Sequence, residues 1–379
     1  MSEVLDFVAE APLVDHHCHG VVTGEVEREG FERMLTEADA VSPLGTSLFD
    51  SLIGLAVRER CAPVLDLPKH APADEYLARR AELGADEVNR RFLRGTGTTD
   101  FLLDGGFQPD ELTGTTEFAR LAGARAHDVV RLEQVAEDVV RAGTTASRFA
   151  ADFEAELEKR AKHAAGVKSI AAYRVGLELS GERPDAVEVV DAAGRWLSRF
   201  GAGLGLRLAD EVLHRHLVWT GIDLGLPVQF HVGYGDSDVD LHRCDPLLLT
   251  GFLRATRETG VPILLLHNYP FHRNAAYLAQ VFEHVFVDTG LITHNAGFRA
   301  PAILAETLEL VPFGKLLFST DAFGLAELYH LGTTLFRQGL SDFLRSAFAA
   351  DALSEVDARR LVRLAGHENA TRIYRLEPR

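Results

Sequence analysis

The run "VPILLLHN" at residues 261–268 is an almost uninterrupted apolar stretch that ends in a histidine and an asparagine. Without alternation of polar and apolar residues, such a run is typical of a parallel strand buried on both faces. Similar runs, each followed by a stretch with helical spacing, occupy seven further positions: residues 12–19, 99–106, 128–135, 166–174, 226–233, 284–291 and 315–322. Eight strand–helix units predict an α/β fold, a (β/α)8 TIM barrel.

The first two predicted strands are separated by residues 21–98, many more than a crossover helix needs. This segment is rich in Glu, Arg, Ala and Leu, which predicts a helical cap inserted after strand 1. Barrel enzymes carry their active sites at the C-terminal ends of the strands, so we expect the cap to lie over the active site. We interpret residues 1–379 as a single barrel domain that includes this insertion.

Composition narrows the class of protein. The chain has 39 basic and 56 acidic residues, a net charge of −17, which argues against nucleic acid and anionic membranes as partners. Three cysteines are too few for a disulfide framework, and the first residues lack the charge pattern of a signal peptide. We therefore expect a cytoplasmic protein that acts on a small molecule. A homodimer is the expected assembly, although no motif marks an interface.

The run nearest the N-terminus, "VDHHCHG", contains three histidines. Alternate residues of a strand share a face, so Asp15, His17 and His19 are predicted to point one way. His16 and Cys18 would point the other way and are interpreted as packing residues. An H-x-H pair at a strand end can hold one metal ion from a single rigid element. Asp15 is interpreted as the partner that fixes the tautomer of a histidine ligand.

Three later runs repeat this arrangement of a strand that ends in a polar side chain. The fifth run ends in His231, the sixth in His267 and the eighth in Asp321. Because the ends of parallel strands meet at one rim of a barrel, we expect these side chains to lie close to the first pair. A buried Asp321 would be costly without a cation or hydrogen-bond donors beside it.

Lys168 enters the fourth run, in "GVKSIAAYR". A charged lysine inside a barrel is costly, which leaves two interpretations open. The lysine either pairs with a neighbouring carboxylate, or it is neutral and adds carbon dioxide to form a carbamate that bridges two metal ions. Arg174 follows in the same run and is either a clamp for a substrate carboxylate or a surface residue.

A known family carries the same ordered set of residues at its strand ends: His17, His19, Lys168, His231, His267 and Asp321. The set resembles the amidohydrolase superfamily of metal-dependent barrels. The stretches "KSIAAYRVGLEL", "LLFSTDAFGLAELYHLG" and "GHENATRIYRL" are similar to its branch with the N-terminal domain of FluG-like proteins. The resemblance implies a first ion at His17, His19 and Asp321. It implies a second ion at His231 and His267, bridged by carbamylated Lys168, although some members use one ion and leave His267 free.

The resemblance implies a hydrolase of a C–N amide bond in a small molecule, such as a γ-glutamyl amide. Zn²⁺ is the expected ion, with iron or manganese as alternatives. Metal-bound hydroxide would attack, with Asp321 as the general base, while the second ion or His267 stabilises the oxyanion. Arg174, Tyr269 and His294 are interpreted as residues that orient the substrate.

Three other functions remain open on the same scaffold. Two iron ions with a bridging carboxylate would make a non-haem di-iron oxygenase, and a single metal ion would suit a non-oxidative decarboxylase. An inactive barrel that serves as a binding or scaffold protein would show gaps in the set of ligands. The sequence has no such gap, so an enzyme is the preferred interpretation.

Overall fold

Seven parallel strands pair in chain order, each with its neighbours in the sequence. The computed structural model describes residues 2–40, 42–107 and 111–377. The strands are β1 Leu13–Cys18, β2 Thr98–Asp104, β3 Arg125–Arg131, β4 Gly166–Ser169, β5 Val228–Val232, β6 Ile263–His267 and β7 Val285–Val287.

An eighth segment, residues 316–322, closes the barrel between β7 and β1. Its Leu317 amide donates to the Val287 carbonyl at 2.9 Å, and its Phe318 carbonyl accepts from the His16 amide at 3.1 Å. The Asp321 amide then donates to the carbonyl of His17 at 3.0 Å. The eighth predicted run therefore lies where a barrel requires it, and the predicted TIM-barrel architecture is confirmed.

Helices surround the sheet and fill the connections between its strands. The segment between β1 and β2 contains four of them: α2 Arg28–Arg33, α3 Leu52–Ala56, α4 Ala73–Leu83 and α5 Ala85–Arg94. The others are α1 Ser2–Glu10, α6 Thr115–Ala122, α7 Leu132–Arg141, α8 Phe149–Ala161, α9 Ala171–Arg174, α10 Ala186–Gly201, α11 Glu211–Asp223, α12 Thr250–Thr256, α13 His272–Val281, α14 Ile292–Asn295, α15 Ala300–Thr307, α16 Ala326–Ala349, α17 Glu355–Arg363 and α18 Asn369–Ile373. Among the described residues, no helix is both long and apolar enough to cross a membrane.

The segment between β1 and β2 is attached to the barrel by a buried polar cluster. Arg80 and Tyr76 of α4 both donate to Oε1 of Glu327 at the start of α16, at 2.8 and 3.0 Å. All three side chains are buried, so this ion pair is shielded from solvent. The cluster fixes the insertion against the helix that follows the eighth segment.

The predicted third strand is displaced from the observed one. The strand was predicted at residues 128–135, whereas β3 spans Arg125–Arg131 and the next ten residues form α7. Leu132, Val135 and Val139 of α7 are buried, and their spacing is that of a helix face. The predicted strand continued beyond the short apolar pair that precedes them and into this helix, so the predicted boundary was wrong.

The predicted fourth strand, residues 166–174, is also too long, because β4 ends at Ser169. Oε1 of Glu133 accepts hydrogen bonds from the Ser169 hydroxyl at 2.7 Å and from the Ile170 amide at 2.9 Å. The Glu133 side chain thus binds the backbone amide that would otherwise have continued the strand pairing, and the polypeptide turns into α9. Arg174 therefore ends a helical turn rather than a strand.

The barrel interior has an apolar layer closed by the C-terminal segment. Side chains of four strands and of the eighth segment pack there with residues of α18 and beyond: Val14, Leu102, Val129, Leu264, Leu266, Leu317, Ala370, Ile373, Tyr374 and Leu376. These side chains are buried, and the polar residues of the strand ends lie beyond them along the strands. The apolar layer therefore forms the base on which the candidate site is built.

Candidate metal centre

The strand ends bring six polar side chains together, and all six are buried: His17, His19, Lys168, His231, His267 and Asp321. Asp321 lies at the middle of the group. Its Oδ1 is 3.1 Å from Nε2 of His17 and 3.4 Å from Nε2 of His19, and its Oδ2 is 3.2 Å from Nδ1 of His267. One ligand atom from each of His17, His19 and Asp321 lies within 4.8 Å of the others.

The remaining two members complete the group. Nζ of Lys168 lies 3.2 Å from Nε2 of His17. The His231 ring lies 4.7 Å from the His267 ring, centroid to centroid. In the described part of the chain no ion pair involves Lys168, which weighs against the salt-bridge interpretation of this residue.

The tautomer of His17 follows from the chemistry of Gln229. The amide nitrogen of Gln229 lies 2.8 Å from the backbone carbonyl of His16, which can only accept. The amide orientation is therefore determined, and Oε1 is the atom that lies 2.8 Å from Nδ1 of His17. That Nδ1 must carry the hydrogen, so Nε2 of the neutral ring presents a lone pair to Asp321.

His19 is oriented in the same way. Its Nδ1 lies 2.9 Å from the carbonyl oxygen of Asp104, so Nδ1 carries the hydrogen and Nε2 faces Asp321 with a lone pair. Two lone pairs and a carboxylate oxygen therefore face one another without a hydrogen between them. A cation satisfies all three atoms, and histidine nitrogens with a carboxylate oxygen are ligands of Zn²⁺ and related divalent ions.

Unpaired polar atoms support the same conclusion. Nε2 of His231, both ring nitrogens of His267 and Oδ1 of Asp321 are buried without a hydrogen-bond partner among the described residues. Each buried unpaired polar atom costs about 1–3 kcal/mol. The residues present thus fit a divalent cation, which would give these atoms a partner.

Burial sets the charge state of the group. It lowers the pKa of His17 to about 4 and those of His231 and His267 well below their usual value. Neutral imidazoles are the form that binds a metal ion. Burial also lowers the pKa of Lys168 to about 8, against the opposing charges of Asp104 and Asp321. About a tenth of this lysine is therefore uncharged at pH 7, far more than for a lysine with its ordinary pKa.

Strained backbone is concentrated at the same rim. His267, Asn268, Leu291 and Asp321 all have positive φ, at 68°, 66°, 58° and 53°. Such conformations cost about 1–3 kcal/mol each for residues other than glycine and cluster at functional sites. The turns after the last strands of the barrel thus hold His267 and Asp321 in place at an energetic cost.

A cavity of about 530 Å³ opens directly above the group and includes His19, Lys168, His231, His267 and Asp321 in its wall. The insertion contributes residues 30–39 in part, among them Glu37. Arginines and further carboxylates supply other charged residues of the wall: Arg33, Arg131, Arg174, Arg207, Asp39, Glu111, Asp236 and Asp238.

The three residues predicted to orient the substrate differ in their position relative to the cavity. Arg174 lines the cavity, and its Nη1 donates to Oε1 of Glu137 at 3.2 Å. Tyr269 lies outside the cavity wall, with its ring stacked on His272 at 5.9 Å between centroids, and its role in orienting the substrate stays a prediction. His294 is buried near the charge of Asp321 but is also outside the cavity wall.

Two interpretations of the first strand need correction. Among the described residues Asp15 forms no hydrogen bond with a histidine ring, and its carboxylate accepts from the amide of Thr320 at 2.9 Å and from the hydroxyl of the same residue. It therefore joins β1 to the eighth segment. His16 is more than a packing residue, since its ring bonds to Asp288 at 2.8 Å and to Tyr374 at 3.0 Å.

Several residues of the site were missed from the sequence. Gln229 lies two residues before His231 on β5, so strand alternation places both on one face and could have revealed it. Asp104 is a carboxylate at the end of β2, and Arg131, whose Nη2 donates to it at 2.7 Å, ends β3. Glu37 belongs to the insertion, where no periodic pattern indicates it.

The sequence profile of the amidohydrolase family matches residues 14–376. The chain belongs to the amidohydrolase family. This amidohydrolase is 29% identical to a protein from Lactobacillus casei ATCC 334 assigned as a metal-dependent hydrolase. Their structures superpose with a TM-score of 0.87 over 98% of this chain and 97% of the other. That description is of the neighbour, and the buried histidines and carboxylate described above fit a divalent ion in this chain as well.

Two further relatives are more distant. Protein fluG of Emericella nidulans is 26% identical over 381 residues, which is 90% of this amidohydrolase and 43% of fluG. The chain therefore spans less than half the length of that relative. A uronate isomerase from Thermotoga maritima superposes with a TM-score of 0.67 at 14% identity, over 98% of this chain and 96% of the isomerase. At that identity the likeness shows the shared fold alone.

Proposed function

We propose that this amidohydrolase hydrolyses the C–N amide bond of a small molecule that carries the charged groups of an amino acid, such as a γ-glutamyl amide. The observation that carries the proposal is that imidazole lone pairs of His17 and His19 face the Asp321 carboxylate beneath a cavity whose wall includes His19 and Asp321. His17, His19 and Asp321 would hold one divalent ion. His231 and His267 would hold a second where two are bound.

A bound divalent ion lowers the pKa of water and polarises a carbonyl group. The protein's own groups supply proton transfer. Asp321 faces the cavity and is placed to accept a proton from the attacking water and to return it to the leaving amine. Where His267 binds no ion, its Nδ1, 3.2 Å from Oδ2 of Asp321, is placed to exchange a proton with that carboxylate.

Lys168 is proposed to form a carbamate. Its neutral amine would attack carbon dioxide, forming one N–C bond and releasing one proton. The resulting carbamate keeps the lysine nitrogen and adds two oxygens, so it could serve as a ligand to two ions. The lowered pKa of about 8 supports this step, because only the uncharged amine is a nucleophile.

The charges of the cavity support an amino-acid-like substrate. Arg131 and Arg174 offer partners for a carboxylate, whereas Glu37 and Asp236 offer partners for an ammonium group. Arg131 and Arg174 are each paired with an acidic residue, which holds their side chains in place. A molecule with one charge of each sign would find both kinds of partner in this cavity.

Metal analysis and a substrate panel test the proposal together. The purified protein would be assayed for metal content and then incubated with γ-glutamyl amides, aminoacyl amides and uncharged amides. Release of ammonia or amine without consumption of oxygen is the expected result. Oxygen uptake with a reductant would instead support the di-iron oxygenase, and carbon dioxide release from a carboxylated aromatic acid would support the decarboxylase.

A further inference from the structure

A buried chain of hydrogen bonds connects the C-terminal segment to the metal centre. Tyr374 follows α18, and its hydroxyl lies 2.7 Å from Nε2 of Gln229 and 3.0 Å from Nδ1 of His16. Oε1 of Gln229 lies 2.8 Å from Nδ1 of His17. Tyr374 is 5% exposed and Gln229 is fully buried, so water does not compete for these bonds.

Each bond of this chain has a defined direction. The two amide hydrogens of Gln229 point to the carbonyl of His16, at 2.8 Å, and to the Tyr374 oxygen. The hydroxyl of Tyr374 accepts that bond, so its own hydrogen is available for Nδ1 of His16. Nε2 of His16 then carries a hydrogen and donates it to Oδ2 of Asp288 at 2.8 Å.

The same chain reaches a second strand end. Oδ1 of Asp288 accepts from the backbone amides of His267, at 2.8 Å, and of Gly290, at 2.9 Å. The amide of His267 belongs to the turn with positive φ. The Tyr374 hydroxyl is thus connected to the ring of His17 on one side and to the backbone of His267 on the other.

We propose that Tyr374 is a positioning residue that sets the affinity of the metal centre for a divalent ion. Its hydroxyl and the backbone carbonyl of His16 together hold the Gln229 amide in one orientation, and that amide holds His17 in the tautomer whose Nε2 lone pair faces Asp321. Without the hydroxyl, one hydrogen bond fewer maintains this orientation. The reversed amide would place a donor against Nδ1 and leave an N–H of His17 pointing at the cation.

Replacement of Tyr374 by phenylalanine tests this inference, which rests on the metal centre of the proposed function but not on its substrate. The variant keeps the ring in the apolar layer and removes only the hydroxyl. The affinity for Zn²⁺ would be measured by competition with a chelator in the full-length protein. We expect a loss of about 10-fold, the lower end of the effect of removing a direct partner of a metal ligand, because Tyr374 acts on His17 through Gln229.

Tyr76→Phe is the matched control, because it also removes a buried hydroxyl. Tyr76 belongs to the insertion, and its hydroxyl donates to Glu327 of α16 at 3.0 Å. Tyr76 lies outside the cavity wall. We expect Tyr76→Phe to lower the melting temperature while Zn²⁺ affinity stays within threefold of wild type. Equal affinity losses in both variants, or no loss in Tyr374→Phe, would overturn the inference.

A second variant and a spectroscopic measurement cover the case in which Tyr374→Phe does not fold. Gln229→Met removes the amide at similar side-chain length and should lose at least as much Zn²⁺ affinity. In metal-free protein labelled with ¹⁵N-histidine, His17 should show the Nδ1–H tautomer in wild type and a mixture in Tyr374→Phe. An unchanged His17 signal would reject the inference. Failure of the wild type to bind any metal would reject the proposed function, and the tautomer measurement would still decide whether Tyr374 positions His17.

Discussion

Oδ2 of Asp321 lies 3.2 Å from Nδ1 of His267, and both residues have positive φ at the C-terminal ends of different strand segments. The strained turns of two distant segments thus aim a carboxylate and an imidazole at each other. Asp321→Asn keeps the shape and removes the charge and the proton acceptor. We expect metal affinity to fall sharply and amide hydrolysis to fall by at least about 100-fold, the lower end of the effect of a general acid–base.

Asp100→Asn is the control for this substitution, because Asp100 is a buried carboxylate of β2 outside the cavity wall. It should bind the wild-type amount of metal, as determined by elemental analysis. Wild-type turnover by Asp321→Asn would remove Asp321 from the mechanism.

Lys168→Ala should reduce the number of bound ions. If the carbamate bridges two ions, the variant loses the bridge, and elemental analysis should find one equivalent or none where the wild type has two. Lys315→Ala, which removes a lysine outside the cavity wall, should leave the count unchanged. An unaltered metal count in Lys168→Ala would show that the lysine does not bridge.

Glu37 is expected to select for a positively charged group in the substrate. Glu37→Gln should raise KM for an amide with a free ammonium group severalfold, because the bound cation would favour the ionised form of Glu37, whose pKa burial raises to about 8 in the free protein. The KM for the same amide without the amino group should change little. Steady-state kinetics with this substrate pair measure the difference, and equal effects on both substrates would contradict the assignment.

Arg174 is expected to bind a negatively charged group of the substrate. Arg174→Met should raise KM for substrates with a carboxylate and leave their uncharged analogues largely unaffected, since the arginine lines the cavity. Arg148→Met is the control, because Arg148 is an exposed residue paired with Asp152 at 2.9 Å. If KM for the carboxylate substrate stays at the wild-type value in Arg174→Met, another arginine holds that group.

Asp100 makes the stability of the barrel depend on pH. Burial opposes its ionisation, but hydrogen bonds from His127 and Arg125 lower its pKa from 3.8 to about 2. Because the pKa is lower in the folded state, the ionised group stabilises the fold above about pH 4, by about 2 kcal/mol. This contribution is lost as pH falls from about 4 to about 2. Urea unfolding of wild type and Asp100→Asn should therefore show a gap at pH 6 that closes in acid, whereas a constant gap would refute the prediction.

The strand order and the ligand set could be predicted from the sequence because both depend on local patterns. Apolar runs indicate buried parallel strands, and the C-terminal ends of such strands meet at one rim. His231, His267 and Asp321 were therefore predicted to lie near His17 although more than 200 residues separate them from it. Boundaries were less predictable, as β3 and β4 show, because Glu133 and the buried face of α7 decide where those strands end. The homodimer and the cytoplasmic location stay predictions.

The sequence by itself determined which side chains stand at the strand ends, since residue type and periodicity are properties of the chain. Only the tertiary structure decided which nitrogen of each histidine faces the centre. For His17 that choice depends on Gln229 and Tyr374, which lie 212 and 357 positions away from it in the sequence. Strand alternation places Gln229 on the same face as His231, but packing decides which histidine its amide contacts, and no local pattern indicates Tyr374. The same reason kept Glu37 out of the predicted site.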